Sequence, residues 1–132
     1  MEITYLTGII PDTSAIIEVY DSSGINRPTS DAPRITAMYA GSSLVISAWD
    51  GQLLVGVARS LTDYCFCCYL ADLAIREEYQ HLGIGKQLVA LTREAITDQS
   101  MLLLIAAPEA IDYYPKLGMD KVEEAFIFRR KH

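Results

Sequence analysis

Apolar and polar positions repeat with two different periods along this 132-residue chain. Short runs rich in Leu, Val, Ile, Tyr and Cys predict strands, and stretches with apolar residues three or four positions apart predict helices. Two helices follow the first strand, a three-strand meander comes next, and helix, strand, helix, strand complete a mixed α/β order. The predicted strands lie at residues 3–6, 44–49, 53–61, 65–75, 101–106 and 125–129, and the predicted helices at about residues 12–23, 31–40, 83–98 and 108–118.

Length and composition indicate one folded domain over residues 1–132, with 51% apolar residues. The net charge of −6 argues against nucleic-acid binding, which requires clustered Lys and Arg. No apolar run approaches the roughly 20 residues of a membrane span, and residues 1–11 lack the basic segment of a signal peptide. We therefore expect a cytoplasmic protein with neither nucleic acid nor membrane as a partner.

Three cysteines lie close together, at Cys65, Cys67 and Cys68. An odd number at this spacing forms no disulfide framework, and no second Cys/His pair completes a zinc site. We expect these cysteines to be small apolar residues of a buried strand. A nucleophilic cysteine is the alternative, but neither histidine has the sequence context of a base.

A strand-to-helix turn carries the clearest functional signal. After the apolar run that ends at Ile75, Gly83 and Gly85 precede a helix whose apolar residues fall on one face. The first N–H groups of a helix lack intrahelical partners and bind anions, and glycine keeps Cβ atoms away from them. The sequence therefore predicts a ligand that carries phosphate.

Two common phosphate-binding motifs do not fit this turn. A dinucleotide fingerprint needs a third glycine where Leu88 stands. A P-loop needs Ser or Thr where Gln87 stands, and an earlier glycine that is missing here. What remains is the pattern Q-x-x-G-x-G, formed by Gln80, Gly83 and Gly85.

With this pattern the sequence resembles the GNAT superfamily of acetyl-CoA-dependent N-acetyltransferases. The strand D-L-A-I at residues 72–75 and the segment Y-Y-P-K-L-G-M at residues 113–119, which is similar to the family's F-Y-x-K-x-G-F, add to the resemblance. It implies a mostly antiparallel central sheet, flanked by helices, whose fourth and fifth strands splay apart beside the cofactor, and no metal. It implies acetyl-CoA contacts from Leu73, Ala74, Ile75, Gln80, His81, Leu82, Gly83, Ile84, Gly85, Lys86 and Tyr114.

The resemblance also implies catalytic roles. Tyr114 matches the tyrosine that acts as general acid near the cofactor's sulfur, since a phenol with a pKa of about 10 is protonated at pH 7. Aromatic packing is the alternative for this residue. Ala71 stands where some members carry a glutamate base, so Asp72 is a candidate base, with a structural hydrogen-bonded role weighed equally. Glu109 and an ordered water are the other candidates.

We therefore expect acetyl transfer from acetyl-CoA to a primary amine of a small molecule or peptide, by direct attack in a ternary complex, in a monomer or a homodimer. The acceptor would lie against the first two helices and residues 25–30. The main alternative is a non-catalytic acyl-CoA-binding or sensor module of the same fold. A third is an interaction domain in which the glycines only cap and pack a helix. Another acyl-CoA donor also stays open.

Overall fold

The computed structural model describes residues 1–132 and confirms the mixed α/β architecture. One five-stranded sheet has helices against both faces. No helix has both the length and the apolar character that a membrane span requires. The strands are β1 (Ile3–Thr7), β2 (Leu44–Asp50), β3 (Leu53–Thr62), β4 (Cys67–Ile75) and β5 (Met101–Leu103), and the helices are α1 (Thr13–Ser23), α2 (Ala32–Ala40) and α3 (Ile84–Ile96).

The five strands lie across the sheet in chain order. Neighbours from β1 to β4 are antiparallel, whereas β5 runs parallel to β4 because the chain crosses back through α3. The predicted hairpin turn between β2 and β3 is confirmed. Its Gly51 has φ of 59°, a backbone conformation that glycine adopts at low cost.

Two hydrophobic cores flank the sheet. On one face α3 buries Ile84, Leu88 and Ile96, and on the other α1 and α2 bury Ile16 and Ile35. Burial on both faces explains why β2 and β3 read as continuous apolar runs rather than as alternating sequences. The helices are thereby fixed on the sheet, and so are the loops at their ends.

The expectation of a buried strand is correct for only one of the three cysteines. Cys68 is buried, but Cys65 and Cys67 are exposed. The reason is a turn organised by Asp63, whose Oδ1 accepts hydrogen bonds from the N–H groups of Cys65, Phe66 and Cys67 at distances between 2.8 and 3.1 Å. These N–H groups also hold the pKa of Asp63 well below its ordinary value.

The helix predicted at residues 108–118 is replaced by two short 3₁₀ turns, at Pro108–Ala110 and Tyr114–Leu117. Pro115 accounts for the difference, because proline has no N–H to donate and its ring obstructs the preceding helical turn. The predicted end is correct, since Gly118 closes the second turn with φ of 89°.

The strand predicted at residues 125–129 is not present, and β5 is shorter than the predicted range of 101–106. Strand-prone residues form a strand only where a second strand pairs with them, and this chain supplies no such neighbour to the C-terminal segment. Residues 119–132 therefore have no regular structure, and the side chains of Phe126 and Phe128 are 96% and 105% exposed.

Candidate active site

A cleft opens where β4 and β5 part. The two strands pair only over Cys67–Tyr69 and Met101–Leu103. Beyond this point β4 stays paired with β3 as far as Ile75 but has no partner on the β5 side. The resulting space, of about 1620 Å³, is lined by residues 70–75 of β4 on one side and by residues 104–110 on the other. The splayed strand pair implied by the sequence resemblance is thus confirmed.

A β-bulge in β4 lies close to the point where β4 and β5 separate. The register between β3 and β4 pairs Leu70 with Ser60 and Asp72 with Arg59, which leaves Ala71 without a partner. An extra residue in one strand bends that strand and increases its twist. We infer that the bulge at Ala71 turns β4 away from β5.

The turn before α3 presents a row of free backbone donors at the end of this cleft. The first N–H of the helix with an intrahelical acceptor belongs to Gln87, which donates to the carbonyl of Gly83 at 3.0 Å. None of the six N–H groups from His81 to Lys86 has an acceptor within the protein. No acidic side chain lies in the first helical turn. The turn is therefore an anion cradle of the kind found at helix N-termini.

Local backbone geometry explains which residues build the cradle. Gly83 has φ of 85°, and a Cβ added there would meet no protein atom within 4 Å, so glycine is needed for the conformation and not for packing. At Gly85 a Cβ would lie 3.3 Å from the hydroxyl of Tyr113, so this glycine also makes room for an aromatic neighbour. Nε2 of Gln80 donates to the carbonyl of Ile75 at 3.0 Å and ties the cradle to the end of β4.

Ten of the eleven residues predicted to contact a cofactor line the cleft. The exception is Leu82, which is 54% exposed and is not part of the lining. The ten are Leu73, Ala74, Ile75, Gln80, His81, Gly83, Ile84, Gly85, Lys86 and Tyr114.

Tyr114 lies half-buried in the cleft wall formed by the second 3₁₀ turn. Burial raises the pKa of its hydroxyl above the ordinary value, and the neighbouring Tyr113 adds to the rise. The two rings meet edge to face with their centroids 5.2 Å apart. Tyr114 is therefore held in place by an aromatic neighbour and keeps its proton at neutral pH.

Asp72 is the centre of a buried polar network. Its Oδ1 accepts from Nε of Arg27 at 2.5 Å, and its Oδ2 accepts from Nε of Arg59 and from the hydroxyl of Tyr20, both at 2.6 Å. The Tyr20 hydroxyl also lies 2.6 Å from that of Tyr39. The network joins β4 to β3, to both N-terminal helices and to the loop between them.

The network determines how the carboxyl of Asp72 titrates. Burial alone would raise its pKa, but the hydrogen bonds from Arg59 and Tyr20 and the two guanidinium charges outweigh burial and hold the pKa below its ordinary value. Burial and the nearby carboxylate raise the pKa of Tyr20 as well. A carboxylate so stabilised in its charged form is a weak proton acceptor, which favours the structural alternative for Asp72.

Sequence reasoning missed the four other members of the Asp72 network, three of which bond Asp72 directly. A signal was available, because an aspartate in an otherwise apolar strand must be paired with donors or cations once it is buried. The partners could not be chosen, however, since they lie in other elements of the chain. Tyr20, Arg27 and Arg59 bond Asp72, and Tyr39 bonds Tyr20.

Comparisons with known proteins agree with this fold. The profile of the Acetyltransferase (GNAT) family matches residues 14–119. The uncharacterized N-acetyltransferase ycf52 of Porphyra purpurea is 39% identical over 113 residues, which make up 79% of this chain and 62% of the relative.

Two solved structures share the fold. A probable acetyltransferase of meticillin-resistant Staphylococcus aureus has a TM-score of 0.86 at 18% identity and covers 99% of this chain and 100% of its own. AAC(6')-Iy, solved in complex with the bisubstrate analog CoA-S-monomethyl-acetylneamine, has a TM-score of 0.75 at 12% identity over all of both chains.

These features define the class of protein, which is an α/β domain with a splayed strand pair and an anion cradle. The family match makes the assignment specific: the chain belongs to the GNAT acetyltransferase family. The chain spans about three fifths of the length of the curated relatives it matches.

Proposed function

We propose that this protein transfers the acetyl group of acetyl-CoA to a primary amine. The observation that carries the proposal is the row of six free N–H groups from His81 to Lys86, which opens onto the cleft beside β4. Backbone donors at a helix N-terminus suit the pyrophosphate of coenzyme A. Membership of the GNAT family supports the same donor.

Different residues of the cleft bind different parts of acetyl-CoA in this proposal. The cradle holds the phosphates, and the amine of Lys86 adds a positive charge beside them. The backbone of Leu73, Ala74 and Ile75 has no strand partner on the β5 side, so groups that face this side can hydrogen-bond the extended pantetheine arm, although the carbonyl of Ile75 already accepts from Gln80. When bound, acetyl-CoA supplies the activated acetyl group, and none of these contacts requires a metal.

Direct attack by the amine in a ternary complex is part of the proposal. The open cleft reaches from the cradle to residues 25–28, so both substrates have room at once. The bisubstrate complex of the related AAC(6')-Iy fold supports this arrangement. The hydroxyl of Tyr114 then gives its proton to the sulfur as the carbon–sulfur bond breaks.

The proton acceptor is a different group from Asp72 in this proposal. Only two acidic side chains line the cleft, those of Asp72 and Glu109. Asp72 is held as a charged partner of two arginines, whereas Glu109 is exposed. We assign Glu109, directly or through a water, to take the proton from the amine, and we assign Asp72 to positioning.

An acetyl-transfer assay tests the proposal. The protein is incubated with acetyl-CoA and a panel of small amines, amino sugars, polyamines and short peptides, and release of free CoA thiol is measured. Transfer to at least one amine above the rate of hydrolysis is expected. If acetyl-CoA binds but no amine is acetylated, the protein is the non-catalytic acyl-CoA-binding module, a reading favoured by the missing glutamate at Ala71.

A cytoplasmic location and a homodimer complete the proposal. The location rests on the sequence expectation alone. The dimer is supported by the exposed apolar segment at residues 125–129 and by the free edge of β5, which ends the sheet. Each of these features would find its missing strand partner in a second copy of the chain.

A further inference from the structure

Basic side chains are concentrated in the cleft of this acidic protein. The whole chain has 11 Lys and Arg and 17 Asp and Glu residues. Only Asp72 and Glu109 among the acidic residues line the cleft. The basic residues that line it are Arg27, Arg34, Arg59, Lys86, Arg129, Arg130 and Lys131.

Two of these arginines share one carboxylate. Arg27 and Arg59 each donate from Nε to a different oxygen of Asp72, at 2.5 and 2.6 Å. Their side chains are 26% and 12% exposed, and that of Asp72 is not exposed at all. Two positive charges and one negative charge leave a net charge of +1 at the cleft wall. An anion that enters this end of the cleft would be attracted by the excess charge.

The guanidinium groups also keep unused donors. Arg27 gives one bond each from Nε, Nη1 and Nη2, the last two to the carbonyls of Asn26 and Ala71 at 2.7 and 2.8 Å. Because a guanidinium has five N–H groups, two remain free. In Arg59, Nη2 has no acceptor. Free guanidinium N–H groups match the oxygens of a carboxylate or a phosphate.

The phosphates of coenzyme A do not account for this excess charge. Asp72 lies three residues before Ile75 on β4, which corresponds to about 10 Å of extended strand, and the cradle begins only after a further loop. The arginine pair therefore lies up the strand from the cradle, next to the bulge where the strands part. This is the acceptor end of the cleft under the proposed function.

We propose that Arg27 and Arg59 form a subsite for an oxyanion of the acceptor, so that the acceptor is a small amine that also carries a carboxylate or phosphate group. This inference rests on the proposed function for the identity of the cleft. A purely cationic acceptor, such as a polyamine, would meet an uncompensated positive charge at this end of the cleft.

Calorimetric titration of the CoA-loaded protein tests the subsite without requiring turnover. The probes are pairs that differ by one anionic group: O-phosphoethanolamine and ethanolamine, glucosamine 6-phosphate and glucosamine, lysine and cadaverine. We expect the anionic member of at least one pair to bind ten times or more tightly than its partner. The first two pairs report on phosphate and the third on carboxylate.

Two variants test whether Arg27 causes the preference for the anionic probe. Arg27→Gln is expected to remove the preference for the anionic member while CoA still binds, which shows that the cleft is intact. Arg93→Gln is the matched control, because it removes one positive charge from an exposed position outside the cleft and should keep the preference.

Equal binding within every pair, or a preference unchanged by Arg27→Gln, would overturn the subsite. Binding by no probe would overturn it too. These results leave the proposed function standing if neutral amines are acetylated. A different result, failure of acetyl-CoA itself to bind, would contradict the proposed function.

Discussion

Tyr114 and Asp72 differ in what burial does to them, and that difference supports the separate roles proposed for them. Tyr114 is only half-buried, at the wall of the cleft, and has a raised pKa. Asp72 is fully buried and already paired, with a lowered pKa. A group that keeps its proton suits a general acid, and a group fixed in its charged form suits the positioning of arginines.

Replacement of Tyr114 by phenylalanine should therefore affect the chemical step. We expect kcat for Tyr114→Phe to fall by about 10² to 10⁴, the usual contribution of a general acid, with the Kd for acetyl-CoA nearly unchanged. Tyr113→Phe removes a hydroxyl from the neighbouring ring and is the matched control, expected to keep its turnover. Unchanged steady-state kinetics in Tyr114→Phe would return this residue to aromatic packing.

Replacement of Asp72 should lower the free energy of unfolding, because Asp72 holds a buried ion-pair network together. Asp72→Asn leaves two arginines without a carboxylate, and breaking a buried ion pair costs about 3–5 kcal/mol of unfolding free energy. Denaturant unfolding of Asp72→Asn beside the exposed Asp98→Asn measures this cost. A loss no larger than that of the control would contradict the network's role.

The pH dependence of stability gives a second test of the Asp72 network. Because the folded pKa of Asp72 is lowered, its contribution is present above the ordinary carboxyl pKa and is lost as the pH falls through the folded value. The free energy of unfolding should therefore fall less steeply toward acid pH in Asp72→Asn than in the wild type. Identical slopes would show that Asp72 titrates alike in the folded and unfolded chain.

Glu109 is the side chain whose loss should slow the reaction if it accepts the proton of the amine. We expect kcat for Glu109→Gln to fall by about 10² to 10⁴, the usual contribution of a general base, with the Kd for acetyl-CoA nearly unchanged. Glu94→Gln, an exposed position outside the cleft, is the matched control and should keep its turnover. Unchanged kcat in Glu109→Gln would remove this residue from the base role.

At the scale of elements, local signals were readable from the sequence and long-range ones were not. The cradle is predictable because Gln80, Gly83 and Gly85 lie close together in the chain, between an apolar strand pattern and an amphipathic helix pattern. The partners of Asp72 could not be chosen, because Tyr20 lies 52 residues away and Arg27 lies 45. The bulge at Ala71 is likewise a property of two paired strands and leaves no mark in one of them.

The errors near the C-terminus have the same origin. Strand propensity at residues 125–129 was real, but a strand also needs a neighbour that the single chain does not provide. Residues 108–118 carry the start and end signals of a helix, but Pro115 between them interrupts it. Elements that depend on pairing, or that proline interrupts, were thus the ones predicted least well.

At the scale of the whole molecule, the C-terminal segment argues for a second copy. Phe126 and Phe128 are almost fully exposed and alternate with the 59% exposed Ile127 in a β-prone run, and β5 offers an unpaired edge. An exchange related by two-fold symmetry would pair each copy's segment with the other's β5 and close the assembly. Both features are then satisfied by one interface.

Light scattering during size-exclusion chromatography tests the dimer. We expect twice the 14.7 kDa mass of the chain for the wild type and the single mass for a Phe126→Ser, Phe128→Ser double variant, since the exchanged segment loses its apolar contacts. Val122→Ser is the control for an exposed apolar residue outside the segment. A monomeric wild type would contradict the exchange.

The central claim is that the turn before α3 binds the phosphates of acetyl-CoA, and calorimetric titration with acetyl-CoA tests it most directly. The wild type is compared with Gly83→Leu and with Gly8→Leu, a control with nearly the same φ, 83° against 85°, and no neighbouring atom within 4 Å. Each variant bears a similar backbone strain of about 1–2 kcal/mol. We predict saturable binding by the wild type and Gly8→Leu, and at least tenfold weaker binding by Gly83→Leu. No binding by the wild type, or equal binding by all three, would contradict the claim.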